Sequence, residues 1–150
     1  MSNSVRVVNE LLVDLFNNIL TIEKEALKTG KFNDLSLTEM HVIEAVGCTL
    51  KTMTDIADNL GVTVGTVTTS INRLLEKGYV TRNRSEEDRR FVEIQLTDKG
   101  KLAFRVHQAF HEEMVKYMIE GLDEKDNDVL IASLQRLSNF FKDKYHINHK

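Results

Sequence analysis

The sequence predicts a mainly α-helical chain carrying one small β-hairpin, and three observations predict it. Apolar residues recur at three- and four-residue spacing through most of the 150 residues. Proline is absent and only seven glycines punctuate the chain, so helices can run long without interruption. One stretch breaks the helical pattern: Tyr79-Val80-Thr81 and Phe91 to Leu96 are rich in β-branched and aromatic residues that alternate with polar ones, on either side of a charged tip.

Each element follows from its residues. From Asn3 to Lys28, Val8, Leu12, Leu15, Ile19 and Ile22 form one helical stripe, widened by Leu11, Phe16 and Leu20. That is more apolar surface than one small neighbour can cover. Residues 29–34 make a linker turn, and Ser36 with Glu39 has the spacing of a capping box that opens a helix through Met40, Ile43 and Val46. Residues 47–52 lead to a short helix with Thr54 as its expected N-cap, Ile56, Ala57 and Leu60 as its apolar face, and Gly61 as its stop. Thr63 caps the next helix, in which Val64, Val67, Ile71, Leu74 and Leu75 repeat before Gly78 ends it.

The hairpin follows, with Arg82 to Arg90 as its tip. A helix from near Asp98 to about Glu120 carries Val106, Phe110, Met114, Tyr117 and Met118 on one face. Gly121 breaks it, and Asp123 starts a last helix with Val129, Leu130, Leu134, Leu137, Phe140 and Phe141. Helix, glycine turn, helix and hairpin together make a winged helix-turn-helix over 36–100, within a single domain 1–150. The flanking helices, 3–29 and 101–145, are expected to form a homodimer through their broad apolar faces.

In such a unit the second helix enters a DNA major groove. Removing the core positions leaves Thr66, Thr68, Thr69, Ser70, Asn72 and Arg73 on its outward face, preceded by Thr63 and Gly65. Solvated helix faces usually carry Glu and Lys; short hydroxyls, an amide and a guanidinium suit base edges and phosphates instead. Gly65 sacrifices roughly 1 kcal/mol of helix propensity relative to alanine, which close approach to DNA would repay. Arg82, Arg84, Arg89 and Arg90 arm the wing for a minor groove, and Asp88 can fix the direction of Arg90 through a charge-assisted bond. A two-fold dimer would read a roughly palindromic operator in double-stranded DNA.

Composition bounds the class. The net charge of −3 argues against a general nucleic-acid coat, yet Arg73 to Arg105 carries nine basic and six acidic residues, a local +3. That polarisation turns one face to phosphate. Hydrophobic content of 41% with 29% charged residues fits a soluble globular protein, without a membrane span or signal peptide. A single Cys48 allows no internal disulfide and fits a cytoplasmic location. No ordered Ser/His/Asp set, phosphate loop or paired carboxylates appear, so an enzyme is not expected.

Leu74-Leu75-Glu76-Lys77-Gly78-Tyr79-Val80, then Arg82, Asp88-Arg89-Arg90 and Leu96-Thr97-Asp98-Lys99-Gly100 resemble the MarR family of winged helix-turn-helix regulators. The resemblance covers nearly the whole chain. It implies that Asp88 and Arg90 form the family's Asp-x-Arg, whose arginine enters a minor groove, and that Leu96, Thr97 and Gly100 form its Leu-Thr-x-x-Gly. Many members carry a basic residue where this chain has Thr69-Ser70. Gly65 to Asn72, with Glu39-Met40-His41 upstream, looks most like the FabT branch, repressors of fatty-acid synthesis genes in Gram-positive bacteria. In that branch the effector is a long acyl chain on acyl carrier protein, which raises operator affinity. A carrier protein, itself acidic, would then need a basic docking surface such as Lys101 or Arg105.

Three groups bear on effectors. Phe16, Phe104, Phe110, Met114, Phe140 and Phe141 could line an apolar tunnel or could be plain core, and His107 and His111 join Phe16, Phe104, Phe110 and Met114 as candidate ligand-binding residues. His107 and His111 share a helix face at i, i+4 spacing, but no cysteine or third histidine joins them locally and His41 is far away in sequence. No metal or other cofactor is therefore expected. Cys48 reads as a small semi-buried side chain rather than a redox switch. The alternatives are a regulator of the same family answering to a small aromatic ligand, metal or oxidant, and a helical adaptor that does not read DNA.

Overall fold

The computed structural model describes residues 1–146, which fall into two compact units, Met1–Met40 and the chain from His41 onward. In the first, α1 (Asn3–Thr29) starts on Ser2, whose hydroxyl accepts from the Val5 amide at 3.3 Å. The expected stripe is there, and Val8, Leu11, Leu12, Leu15, Phe16 and Ile22 are all exposed. Ser36 and Glu39 form the capping box: the Glu39 amide donates to Ser36 Oγ at 3.1 Å, and the Ser36 amide donates to Glu39 Oε1 at 3.0 Å. They open α2 (Leu37–Val46), which continues into the second unit.

There follow β1 (Lys51–Thr52), α3 (Met53–Leu60), α4 (Val64–Lys77), β2 (Val80–Arg84), β3 (Val92–Leu96), α5 (Asp98–Ile119) and α6 (Glu124–Tyr145). The sheet is antiparallel in the order β1-β3-β2, with Lys51 opposite Ile94, and Val80 opposite Leu96 through to Arg84 opposite Val92. Helix α3 packs on α4, β1 and β3; α4 packs on β2, and α5 on β3. Ile56, Ala57, Val67, Ile71, Leu74, Tyr79, Val80, Ile94, Leu96 and Ala103 are buried. Each large apolar side chain among them contributes about 1.5–3 kcal/mol. Gly61 and Gly78 end α3 and α4 at φ 67° and 82°, left-handed positions that other residues reach only with strain.

Three features differ from what the sequence predicts. Thr52, not Thr54, caps α3, because only Thr52 has a carboxylate three residues on. Its hydroxyl accepts from the Asp55 amide at 3.1 Å, and Asp55 Oδ2 accepts from the Thr52 amide at 3.1 Å. Lys51–Thr52 is a third strand, too short to register as periodicity. Arg82, Asn83 and Arg84 are paired strand rather than hairpin tip, since a ladder bonded through backbone tolerates polar side chains on its solvent face.

One residue explains much of the Leu-Thr-x-x-Gly stretch. Thr97 Oγ1 donates to the Gly78 carbonyl at 2.7 Å and accepts from the Gly100 amide at 3.1 Å, while its own amide donates to the Tyr79 carbonyl at 3.0 Å. The end of α4 is thereby tied to the start of α5. Gly100 is needed because a Cβ there would collide with the Tyr79 carbonyl oxygen, a backbone atom that cannot step aside. Gly100→Ala is expected to destabilise the fold by about 1–3 kcal/mol, measured as a lowered midpoint in urea denaturation.

Helix α6 starts on Asp123, whose carboxylate accepts from the Asp126 amide at 2.8 Å. None of its residues is buried, and Val129, Leu134, Leu137, Phe140 and Phe141 all face solvent. Among the described residues, no helix is long and apolar enough to cross a membrane.

Candidate functional site

The exposed side of α4 and the wing strands beside it bring the predicted DNA-facing residues together. Thr63 caps α4, its hydroxyl accepting from the Thr66 amide at 3.2 Å and lying 3.0 Å from Thr66 Oγ1. Thr68 Oγ1 donates to the Val64 carbonyl at 2.8 Å, and Thr69 Oγ1 donates to the Gly65 carbonyl at 3.2 Å. A threonine bonded in this way offers a partner only its lone pairs and its methyl group. Gly65 is exposed, and a Cβ there would meet nothing closer than Thr63 Oγ1 at 3.8 Å, so internal packing does not require it. Thr66, Thr69, Asn72 and Arg73 are exposed and Thr68 is half-buried. Ser70 does not belong with them: it is only 6% exposed and lies on the inward side of α4. The helical turn carries it between Val67, Ile71 and Leu74, and its small hydroxyl fits there where a longer polar group would not.

Helix and wing are locked at one point. Arg82 Nη1 donates to Asn72 Oδ1 at 2.9 Å, which commits the Asn72 carbonyl and leaves its amide NH2 to offer elsewhere. Farther along, Arg84 Nη1 donates to the Arg89 carbonyl at 2.9 Å and steadies the turn. The turn itself is built on Ser85, which is buried. Its amide donates to the Phe91 carbonyl at 2.9 Å, and its hydroxyl accepts from the Asp88 amide at 3.3 Å. Sequence reasoning missed Ser85; the serine-to-carboxylate spacing Ser85-Glu86-Glu87-Asp88 was the available sign.

Asp88 then grips Arg90 as expected. Arg90 Nε donates to Asp88 Oδ1 at 3.0 Å, Nη2 donates to Oδ2 at 2.6 Å, and the Arg90 amide donates to Oδ1 at 3.1 Å. The Arg90 side chain is nonetheless 84% exposed. The bonded guanidinium holds the Asp88 carboxyl below its ordinary value, and the carboxylate holds Arg90 above its own. The result is a cation with fixed aim at the end of a strand pair, and Arg89 is exposed beside it.

The residues considered for an effector divide. Phe16 lies exposed in the first unit. Phe104, Phe110, His111 and Met114 are half-buried along α5, and His107 is buried. Phe110 lies edge-on to His111 with ring centroids 5.3 Å apart.

Distance in sequence misled the histidine reading. Side chains far apart in sequence can meet where two helices approach, and those of α2 and α5 do so here. The His41 and His107 ring centroids are 6.1 Å apart; His107 Nε2 lies 3.2 Å from Glu44 Oε2 and 3.0 Å from His111 Nε2. The Glu44 carboxyl is held below its ordinary value, chiefly by the hydrogen bond with His107, against the opposing effect of burial and with added attraction from His107, His111 and His41. Cys48 is exposed rather than semi-buried, because the loop after α2 turns it outward.

Comparison with known proteins agrees with this geometry. A family model described as "MarR family" matches residues 33–90. A crystal structure of Streptococcus pneumoniae FabT in complex with DNA is 43% identical, covers 93% of this chain and 98% of that one, and superposes with a TM-score of 0.84. The transcriptional regulator SarZ of Staphylococcus haemolyticus is 32% identical over 135 residues, 89% of this chain and 90% of its own. The uncharacterised regulator YfiV of Bacillus subtilis is 34% identical over 108 residues, 70% of this chain and 66% of its own. The chain spans two thirds or less of the length of several such Bacillus relatives.

Proposed function

Because the chain belongs to the MarR family of winged-helix transcriptional regulators, we propose that it is a cytoplasmic, homodimeric DNA-binding repressor of fatty-acid biosynthesis genes. The observation that carries the DNA-reading part is Arg90, gripped by Asp88 yet exposed at the end of the wing. A guanidinium whose orientation is already fixed loses less freedom on entering a minor groove, where negative potential is concentrated. Two such chains joined through exposed apolar helices would present two α4 helices to successive major grooves of a roughly palindromic operator.

The α4 hydroxyls refine what is read. Thr68 and Thr69 spend their protons on their own helix, so they face DNA as acceptors with methyl groups. Phosphates offer no donor, whereas thymine methyls and the amino groups of adenine and cytosine suit such a surface. Arg73 supplies the backbone contact, and the Asn72 amide NH2 can donate to a base-edge acceptor. Gly65→Ala separates DNA approach from folding: it should raise stability by about 0.5–1 kcal/mol and weaken operator binding at least tenfold, in paired thermal melts and gel-shift titrations. Operator affinity unchanged by the added methyl would show that DNA does not approach Gly65.

The fatty-acid assignment rests on 43% identity to FabT over nearly the full length of that chain. It carries an effector with it: a long acyl chain on acyl carrier protein, which raises operator affinity by seating the chain along Phe104, His107, Phe110, His111 and Met114. Exposed Arg105 and half-buried Lys101 provide positive charge for the acidic carrier. Titrating long-chain acyl carrier protein into a mixture of chain and upstream DNA should tighten the complex, while the unacylated carrier should not. No change with either would remove the fatty-acid effector and leave the DNA-reading proposal standing.

A further inference from the structure

We propose that Arg82 positions Asn72 as a donor-only reading residue, a role that rests on the DNA reading proposed above for α4. The pair is matched to a base edge that carries acceptors only, that of guanine or thymine, against adenine and cytosine. Arg82 stands two residues after buried Val80 on β2, and side chains two apart share a strand face. It therefore continues the face on which β2 meets α4. Its Nη1 donates to Asn72 Oδ1 at 2.9 Å. Both ends are anchored: Arg82 is paired opposite Ile94 in the ladder, and Asn72 follows buried Ile71 on α4. The bond thus orders two side chains whose backbones are already fixed.

Chemistry fixes which way the amide faces. A guanidinium has only N–H donors, so the group it meets on Asn72 must be the carbonyl oxygen, and the NH2 is turned elsewhere. Asn72 is exposed, and among the described residues its NH2 has no hydrogen-bond partner. Asparagine ordinarily recognises adenine with both polar atoms, accepting from the N6 amino group and donating to N7. Here Oδ1 is held in a charge-assisted bond. Its second lone pair does not restore the adenine pairing, because an approaching amino group would bring its positive N–H ends against the guanidinium. The same charge polarises the amide and makes the NH2 a stronger donor. Guanine presents two acceptors, N7 and O6, and thymine presents O4; adenine sets an amino group beside N7, and cytosine offers only its amino group. Arg82 thus works with the major-groove helix, while Arg90 at the end of the wing is left for the minor groove.

The test is selection of binding sites from a randomised duplex library by full-length wild type, Asn72→Ala and Arg82→Met, followed by anisotropy titration of the selected duplexes. Wild type is expected to favour guanine or thymine over adenine by roughly fivefold or more at one position of each half-site. Asn72→Ala should bring all the bases within about twofold there and keep the ranking elsewhere. Arg82→Met, which keeps the apolar stem but releases Oδ1, should move that same position toward adenine. Melting temperatures check that both variants fold. A second measurement needs only wild type: 7-deazaguanine or 4-thiothymine at that position should weaken its complex, and unaltered binding would overturn the donor reading. Weakening of every duplex by one common factor in Arg82→Met would make Arg82 a phosphate contact and overturn its positioning role. So would an adenine preference of wild type at the position that Asn72→Ala flattens. A wild-type chain that enriches no sequence would instead remove the DNA-reading proposal, and this one with it.

Discussion

Replacing Arg90 with alanine is expected to cost roughly 1–3 kcal/mol of operator binding per half-site, a loss of about 5- to 150-fold for each wing. The side chain is 84% exposed, so folding stability should change by no more than about 0.5 kcal/mol. Asp88→Asn makes the informative comparison. It keeps the guanidinium but removes the charge that aims it, and should fall between wild type and Arg90→Ala. Raising the salt should shrink the difference between wild type and Arg90→Ala, since an electrostatic contact is being screened. Equal affinities for wild type and Arg90→Ala in fluorescence anisotropy would remove Arg90 from the interface.

A charge in the apolar face of α6 should have the larger effect. Leu134 is exposed among Val129, Leu137, Phe140 and Phe141, and no residue of that helix is buried within the chain. An apolar stripe that its own chain leaves uncovered is best covered by a second copy. Leu134→Glu would place a carboxylate at such an interface, where burying it costs several kcal/mol. The variant is expected to sediment as a monomer. Operator affinity should then drop by about 10²–10⁴-fold, because the second half-site no longer binds as an intramolecular event. A variant that remained dimeric with full affinity would show that α6 is not the dimer surface.

Long-period features of this fold were legible in the chain. The spacing of Val67, Ile71 and Leu74 fixed which side of α4 is buried, and Gly61 and Gly78 marked where helices end. The Asp88–Arg90 contact could be read because both partners lie two residues apart. Features were missed where one residue had two competing roles. Ser70 has the chemistry of a reading residue, but the helical turn puts it inside. Thr54 and Thr52 are equally good caps by type, and the position of Asp55 decides between them.

Contacts across the chain were hidden for a different reason. Arg82 with Asn72, Thr97 with Gly78 and Glu44 with His107 depend on how elements pack, which local pattern does not encode. The histidine cluster is the clearest case: each half looks incomplete until two helices bring the halves together.

The central claim is that α4 and the wing read a particular duplex. It is tested most directly by anisotropy titration of the purified chain with labelled DNA from upstream of its own gene and with a shuffled duplex of equal length, across a salt series. The account predicts tighter binding to the upstream duplex, retained at salt concentrations that release the shuffled one, with log affinity falling linearly against log salt. Equal affinity for the two duplexes, or no binding to either at low salt, would contradict it.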